Sequence, residues 1–91
     1  MIDPERDLTG EKTAPKAVVG RMSLYLRQLE IYQRQGNTTV SSSQLGQPLS
    51  IKNAQVRKDL AFFGQFGHPG IGYRIPELID ALRHKIGRAH V

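Results

Sequence analysis

Apolar and aromatic side chains recur at helical spacing early in the chain: Val18, Met22, Tyr25, Leu26, Leu29 and Tyr32 fall on one stripe. The stripe predicts an amphipathic helix with one buried face. Pro15 stands where such a helix can begin, since a first-turn proline forfeits no helical hydrogen bond. Gly36-Asn37 supplies its stop. Thr38-Thr39-Val40 is short and β-branched, enough for one brief strand. Ser41 and Gln44 then have the spacing of a capping box, and the helix they open must be short because Pro48 breaks helix interiors.

A further helix is predicted over residues 53–63, with Val56, Leu60 and Phe63 on its buried face. At about 100° per residue, Lys58 points almost directly away from that face, with Gln55 and Arg57 on either side of it. Asp59 falls near the buried side and reads as structural, pairing with Arg74 or a backbone amide. Glycines at 64, 67, 70 and 72 follow, and Pro69-Gly70 fits the central pair of a type II turn. The segment reads as a hairpin with its tip at His68–Ile71, anchored by Phe66 and Tyr73. A last helix starts near Pro76, carries Leu78, Ile79, Leu82 and Ile86 inward and ends at Gly87. Helix, strand, short helix, helix, hairpin, helix is the order of a winged helix-turn-helix: mainly α, with a small β-hairpin wing.

Composition narrows the function. The 91 residues suit one small domain, and 13 Lys and Arg against 8 Asp and Glu give a net charge of +5. The charge is divided: residues 1–14 carry a net −2 and read as a loose acidic tail, whereas residues 15–91 carry +7. The absence of cysteine excludes disulfides, thiolate metal sites and thiol catalysis. No apolar run approaches the ~20 residues of a membrane span, no secretory signal opens the chain, and a cytoplasmic setting is the default expectation. His68, His84 and His90 are scattered without acidic partners, so no metal site is expected, and no nucleophile–base pair or phosphate-cradling loop points to an enzyme. The glycines at 64–72 lack the order of a dinucleotide fingerprint, so no cofactor is expected to bind these residues.

A basic module of this architecture fits double-stranded DNA. Arg57 and Lys58 can donate to guanine edges and Gln55 can pair with adenine, while Ser42, Ser43 and Gln44 on the preceding helix suit phosphates. The competing reading is a winged helix used for protein–protein contact, with DNA affinity that is purely electrostatic.

The run Gln55-Val56-Arg57-Lys58-Asp59-Leu60, with Phe63-Gly64, Phe66-Gly67 and Gly70-Ile71-Gly72-Tyr73, resembles the redox-sensing repressor (Rex) family. Tyr25-Leu26-Arg27 and Val40-Ser41-Ser42 fit the same pattern, which spans about residues 16–87. The resemblance implies a bacterial repressor with an N-terminal winged helix over residues 15–87. It also implies that residues 88–91 begin a linker to a dinucleotide-binding domain absent from this chain. Family members bind palindromic operators as homodimers and respond to the NADH/NAD ratio; this chain alone is expected to be monomeric. For Arg27 the resemblance implies a contact with the nucleotide domain, against the plainer reading of a surface charge. The family commonly has a basic residue where Pro69 stands, which leaves His68 and the Gly70 tip as the wing's candidate contacts. It also tends to have Ser, Thr or Asn where Lys52 stands. The helix start is then expected to shift toward Ser50 or Asn53, with Lys52 and Asn53 near a phosphate.

Overall fold

The computed structural model describes residues 16–89. The acidic tail at 1–14, the start at Pro15 and positions 90–91 lie outside the described residues. Helix α1 (Lys16–Arg34) buries Val18, Met22, Tyr25 and Leu29, with Leu26 and Tyr32 half-buried at its margin. Its end is closed by the amide of Asn37 donating to the Tyr32 carbonyl at 3.1 Å and that of Gly36 to Gln33 at 3.0 Å, the paired bonds of a glycine-ended helix.

Strand β1 (Thr39–Val40) leads into α2 (Ser42–Gly46). The capping box is formed as the spacing predicts: Ser41 Oγ accepts from the Gln44 amide at 3.0 Å, and Gln44 Oε1 accepts from the Ser41 amide at 2.9 Å. A 3₁₀ turn, Gln47–Leu49, absorbs Pro48 at its start, where the missing N–H costs nothing. The chain then doubles back, and the Ile51 amide donates to the Gly46 carbonyl at 3.0 Å. At Gly46 a side chain has no room: a Cβ would lie 2.2 Å from the Ile51 carbonyl oxygen and 2.9 Å from Val56 Cγ2.

Helix α3 (Asn53–Ala61) buries Val56, Asp59 and Leu60. It ends two residues before the expected 63, where Phe63 N–H donates to the Leu60 carbonyl at 3.1 Å in a tightened turn before the glycine-rich segment. The wing is a real hairpin of β2 (Gly67–His68) and β3 (Gly72–Arg74). The Ile71 amide donates to His68 at 3.0 Å, and Gly70 has φ +77°, as the third position of a type II turn requires. β3 also pairs antiparallel with β1, Val40 opposite Tyr73, so a three-stranded sheet in the order β1-β3-β2 ties the wing to the body.

Helix α4 (Ile75–Ala89) packs along α1 and contributes Ile75, Leu78, Ile79 and Leu82 to the core. It runs through Gly87, where the sequence reading stops it, because one glycine costs only about 1 kcal/mol and Arg88-Ala89 favour helix. Positions 88 and 89, expected in a linker, continue α4. Among the described residues no helix is long and apolar enough to cross a membrane.

Candidate nucleic-acid interface

Burial of Val56 and Leu60 fixes the rotation of α3, and with it the outward face. Arg57 and Lys58 are exposed there, as expected, with Asn53 and Ala54 one turn earlier and Ala61 one turn later. Lys52 occupies the cap position in extended conformation and its side chain makes no capping bond, which leaves Asn53 as the first helical residue. The expected shift of the helix start toward Ser50 or Asn53 therefore does not occur: Lys52 itself remains the cap residue, with its side chain contributing no bond. An ammonium can only donate, so the Lys52 side chain offers the first amides of α3 no acceptor, and only the Lys52 carbonyl does, taking the Gln55 amide at 3.0 Å.

Asn53 Nδ2 donates to Ser43 Oγ at 3.1 Å, which ties the start of the second helix to the first. Ser43 and Gln44 are exposed and Ser42 is half-buried. Gln44, expected at a phosphate, already spends its Oε1 on the capping box, and its carbonyl accepts from the Tyr32 hydroxyl at 2.7 Å.

Gln55 and Asp59 stand differently from the sequence reading. Gln55 is half-buried, and its Nε2 donates to Asp59 Oδ1 at 2.7 Å. Asp59 pairs with neither Arg74, which is exposed on β3, nor a backbone amide. Its partners are in α1: Arg21 Nε reaches Oδ2 at 2.6 Å, Arg21 Nη2 reaches Oδ1 at 3.0 Å, and the Tyr25 hydroxyl donates to Oδ2 at 2.6 Å. Burial pushes the Asp59 pKa up, but the hydrogen bonds from Arg21, Tyr25 and Gln55 outweigh it and hold the carboxyl below its usual value. Burial and the bond to Asp59 push the Tyr25 phenol far up, so it stays a donor. The sequence reading leaves Arg21 out and assigns Tyr25 to the core alone. The available signal is their i, i+4 spacing beside Met22, together with a helical aspartate whose inward position demands donors.

At the wing, Gly70 is exposed at the tip beside Pro69 and Ile71. The His68 ring lies 3.4 Å from both carboxylate oxygens of Glu77 in the first turn of α4, so it faces the body rather than the tip. Between the wing and the end of α3 runs a groove lined by Arg57, Ala61, Gln65, Phe66 and Tyr73. Burial raises the Tyr73 pKa while the Arg57 guanidinium pulls the other way, which puts that cation at the junction of helix and wing. Arg27 is exposed on α1, and among the described residues no cluster of three or more metal-ligating side chains occurs.

Residues 13–61 match the family described as "Putative DNA-binding protein N-terminus". The redox-sensing transcriptional repressor Rex of Carboxydothermus hydrogenoformans is 52% identical over 66 residues, covering 72% of this chain and 32% of that protein. The chain belongs to this family, as a Rex N-terminal domain. The Rex repressor of Solidesulfovibrio magneticus is 42% identical over 73 residues, or 80% of this chain and 33% of its own length. Among solved structures, RSP in complex with β-NAD+ and operator DNA matches with a TM-score of 0.78 and 32% identity, over 85% of this chain and 36% of RSP. The chain therefore spans about a third of the length of these Rex relatives. The relatives are named as repressors, not as enzymes.

Proposed function

We propose that this chain is the sequence-specific DNA-reading module of a bacterial transcriptional repressor. The observation that carries the reading is the outward face of α3, where Arg57 and Lys58 stand exposed beside a wing, on a domain similar to one solved with operator DNA. In this reading α3 enters the major groove. Lys58 and Arg57 donate to guanine O6 and N7, and Gln55 lies at the edge of the read sequence. Lys52, Asn53, Ser42, Ser43 and Gln44 approach the phosphates, with the amides of Asn53 and Ala54 at the start of α3 reinforcing Lys52 there. The wing tip at Gly70 lies near the minor groove, and His68 joins it only by leaving Glu77. Arg27 on α1 faces a nucleotide-binding domain of the full-length protein. That protein is cytoplasmic, binds a palindromic operator as a homodimer and answers to NADH/NAD; the support is for the last alone, in relatives named as redox-sensing repressors and in RSP, solved with β-NAD+ and operator DNA.

The test uses duplexes recovered by selection from a randomised pool, titrated at several salt concentrations against scrambled versions. Affinity should fall with salt in proportion to the phosphates contacted, while the recovered sequence keeps its advantage over the scrambled one. Equal affinity for both duplexes at every salt concentration would refute the reading and favour a protein-interaction module. The isolated domain should also be monomeric and bind half-sites weakly, since pairing two modules raises effective concentration.

A further inference from the structure

Asp59 is the only charged residue buried among those described, at 1% exposure, and it sits in the helix that carries the outward cations. Its carboxylate receives four hydrogen bonds, two on each oxygen. Arg21 engages both oxygens and Tyr25 adds a second bond to Oδ2, so the plane of the carboxylate is fixed from α1. What remains on Oδ1 goes to Gln55 at 2.7 Å. An ionised carboxylate only accepts, so the Gln55 atom facing it has to be the amide nitrogen, and Oε1 is turned away. Rotating the amide by half a turn would set Oε1 against Oδ1, lone pair against lone pair. A glutamine without such a neighbour presents either end to a base.

We infer that Arg21 and Tyr25 are positioning residues for base selection, holding the Gln55 amide through Asp59 so that Gln55 offers an acceptor to the exocyclic amino group of a base. The inference rests on the DNA-reading function proposed above and specifies how that site discriminates. Adenine N6 and cytosine N4 both present such a donor in the major groove. Arg21 and Tyr25 lie 38 and 34 positions from Asp59 and act on the reading face without belonging to it.

The experiment uses the full chain and the duplex recovered from the randomised pool, with every single base-pair substitution of it titrated by fluorescence anisotropy. The proteins are the wild type, Arg21→Gln, Arg21→Lys, Tyr25→Phe, Gln55→Ala and the double variant Arg21→Gln/Gln55→Ala, each checked for folding by circular dichroism. Wild type should discriminate about tenfold at the base pair whose preference Gln55→Ala abolishes. Whether that base is adenine or cytosine shows which amino group is read. In Arg21→Gln the discrimination should fall below about threefold at that base pair only, with the preferences at the other positions unchanged whatever the overall affinity. Arg21→Lys should restore part of it, and the double variant should match Gln55→Ala alone. A folded Arg21→Gln that keeps the wild-type pattern of preferences at every base pair, whatever its overall affinity, overturns the inference. So does a double variant that discriminates less at any base pair than Gln55→Ala does. Should Arg21→Gln not fold, Tyr25→Phe decides: relaxation confined to the same base pair supports the inference, and an unchanged profile overturns it. A wild type with no preference for any duplex refutes the DNA-reading function itself, an outcome distinct from all of these.

Discussion

Replacing Asp59 by asparagine keeps the side chain's shape and removes its charge, which isolates the electrostatic part of the α1–α3 link. The carbonyl of the introduced amide can take over the position of Oδ2 and accept from Arg21 Nε and Tyr25. Its NH₂ then faces Arg21 Nη2 and Gln55, both donors in the native arrangement. Gln55 can rotate its amide to accept, but the guanidinium cannot, so one charged hydrogen bond is lost, the Tyr25 and Gln55 bonds fall to neutral strength, and the Arg21 Nε bond keeps only its donor's charge. At about 1.5–3 kcal/mol for a charged bond and roughly half that for a neutral one, the loss approaches 4 kcal/mol before relaxation. Arg21 is 28% exposed and recovers part of this by hydration. The net cost should be about 2–3 kcal/mol, or roughly 10–20 °C in Tm for a domain of this size.

Thermal melts followed by circular dichroism at neutral pH measure that cost, and the same melts in acid test its origin. The folded carboxyl titrates below the unfolded value of 3.8, so between the two the unfolded chain binds more protons. The stabilisation is complete above the unfolded value and is lost as pH falls through the folded one. Wild type should therefore lose stability in acid faster than Asp59→Asn, and the gap between their melting temperatures should narrow steadily as pH falls below 3.8. A neutral-pH difference under about 0.5 kcal/mol, or a gap that stays constant into acid, would refute the account of Asp59 as a paired anion.

Lys58→Ala and Arg57→Ala should each weaken binding by roughly 1–3 kcal/mol in anisotropy titrations. A loss concentrated on particular base pairs marks a base reader, and a uniform loss with a shallower salt dependence marks a phosphate contact. Gly46→Ala should destabilise by about 2–3 kcal/mol in urea titration, because the new Cβ meets the Ile51 carbonyl oxygen rather than a side chain that can move. Gly20→Ala on α1, where a Cβ meets nothing within 4 Å, should instead stabilise by about 0.5–1 kcal/mol. Equal effects of the two substitutions would show that the turn after α2 is looser than the structure has it.

The parts of this fold legible in the sequence are those set by local rules. The stripe from Val18 to Tyr32 follows from burial on a helix of known period, the capping box from a three-residue spacing, and the wing turn from the φ preferences of Pro69 and Gly70. Pairing of β1 with β3 is not legible, because strands of two and three residues carry no usable alternation and their partners are more than thirty positions apart. The same distance hides the partners of Asp59. Angular position on α3 puts its side chain inward, but nothing along that helix identifies Arg21 and Tyr25. The sequence reading misplaces Gln55 for a related reason: its position on the wheel is peripheral, and the buried carboxylate one turn later draws its amide in. For the candidate interface, the exposure of Arg57 and Lys58 follows directly from the buried positions of Val56 and Leu60.

The placement of the acids bears on why α3 can face a polyanion at all. Among the described residues Glu30 is held by Arg83 at 2.6 Å and Glu77 lies beside His68, both on the body formed by α1, α4 and the sheet. The acid within α3 is the exception, and an exposed aspartate next to Lys58 would oppose any phosphate that Lys58 attracts. Asp59 is turned inward instead and neutralised by a guanidinium supplied from another helix. Arg57, Lys58 and Lys52 have no ion pair among the described residues, so their field is not cancelled within the domain. Arg21 thus performs two electrostatic tasks in one contact: it stabilises a charge that burial alone would disfavour, and it removes that charge from the field presented by the reading helix. An apolar residue at position 59 could pack α3 equally well and carries no charge to hide, but it could not orient Gln55. Orientation of that amide is what the buried ion pair adds beyond packing.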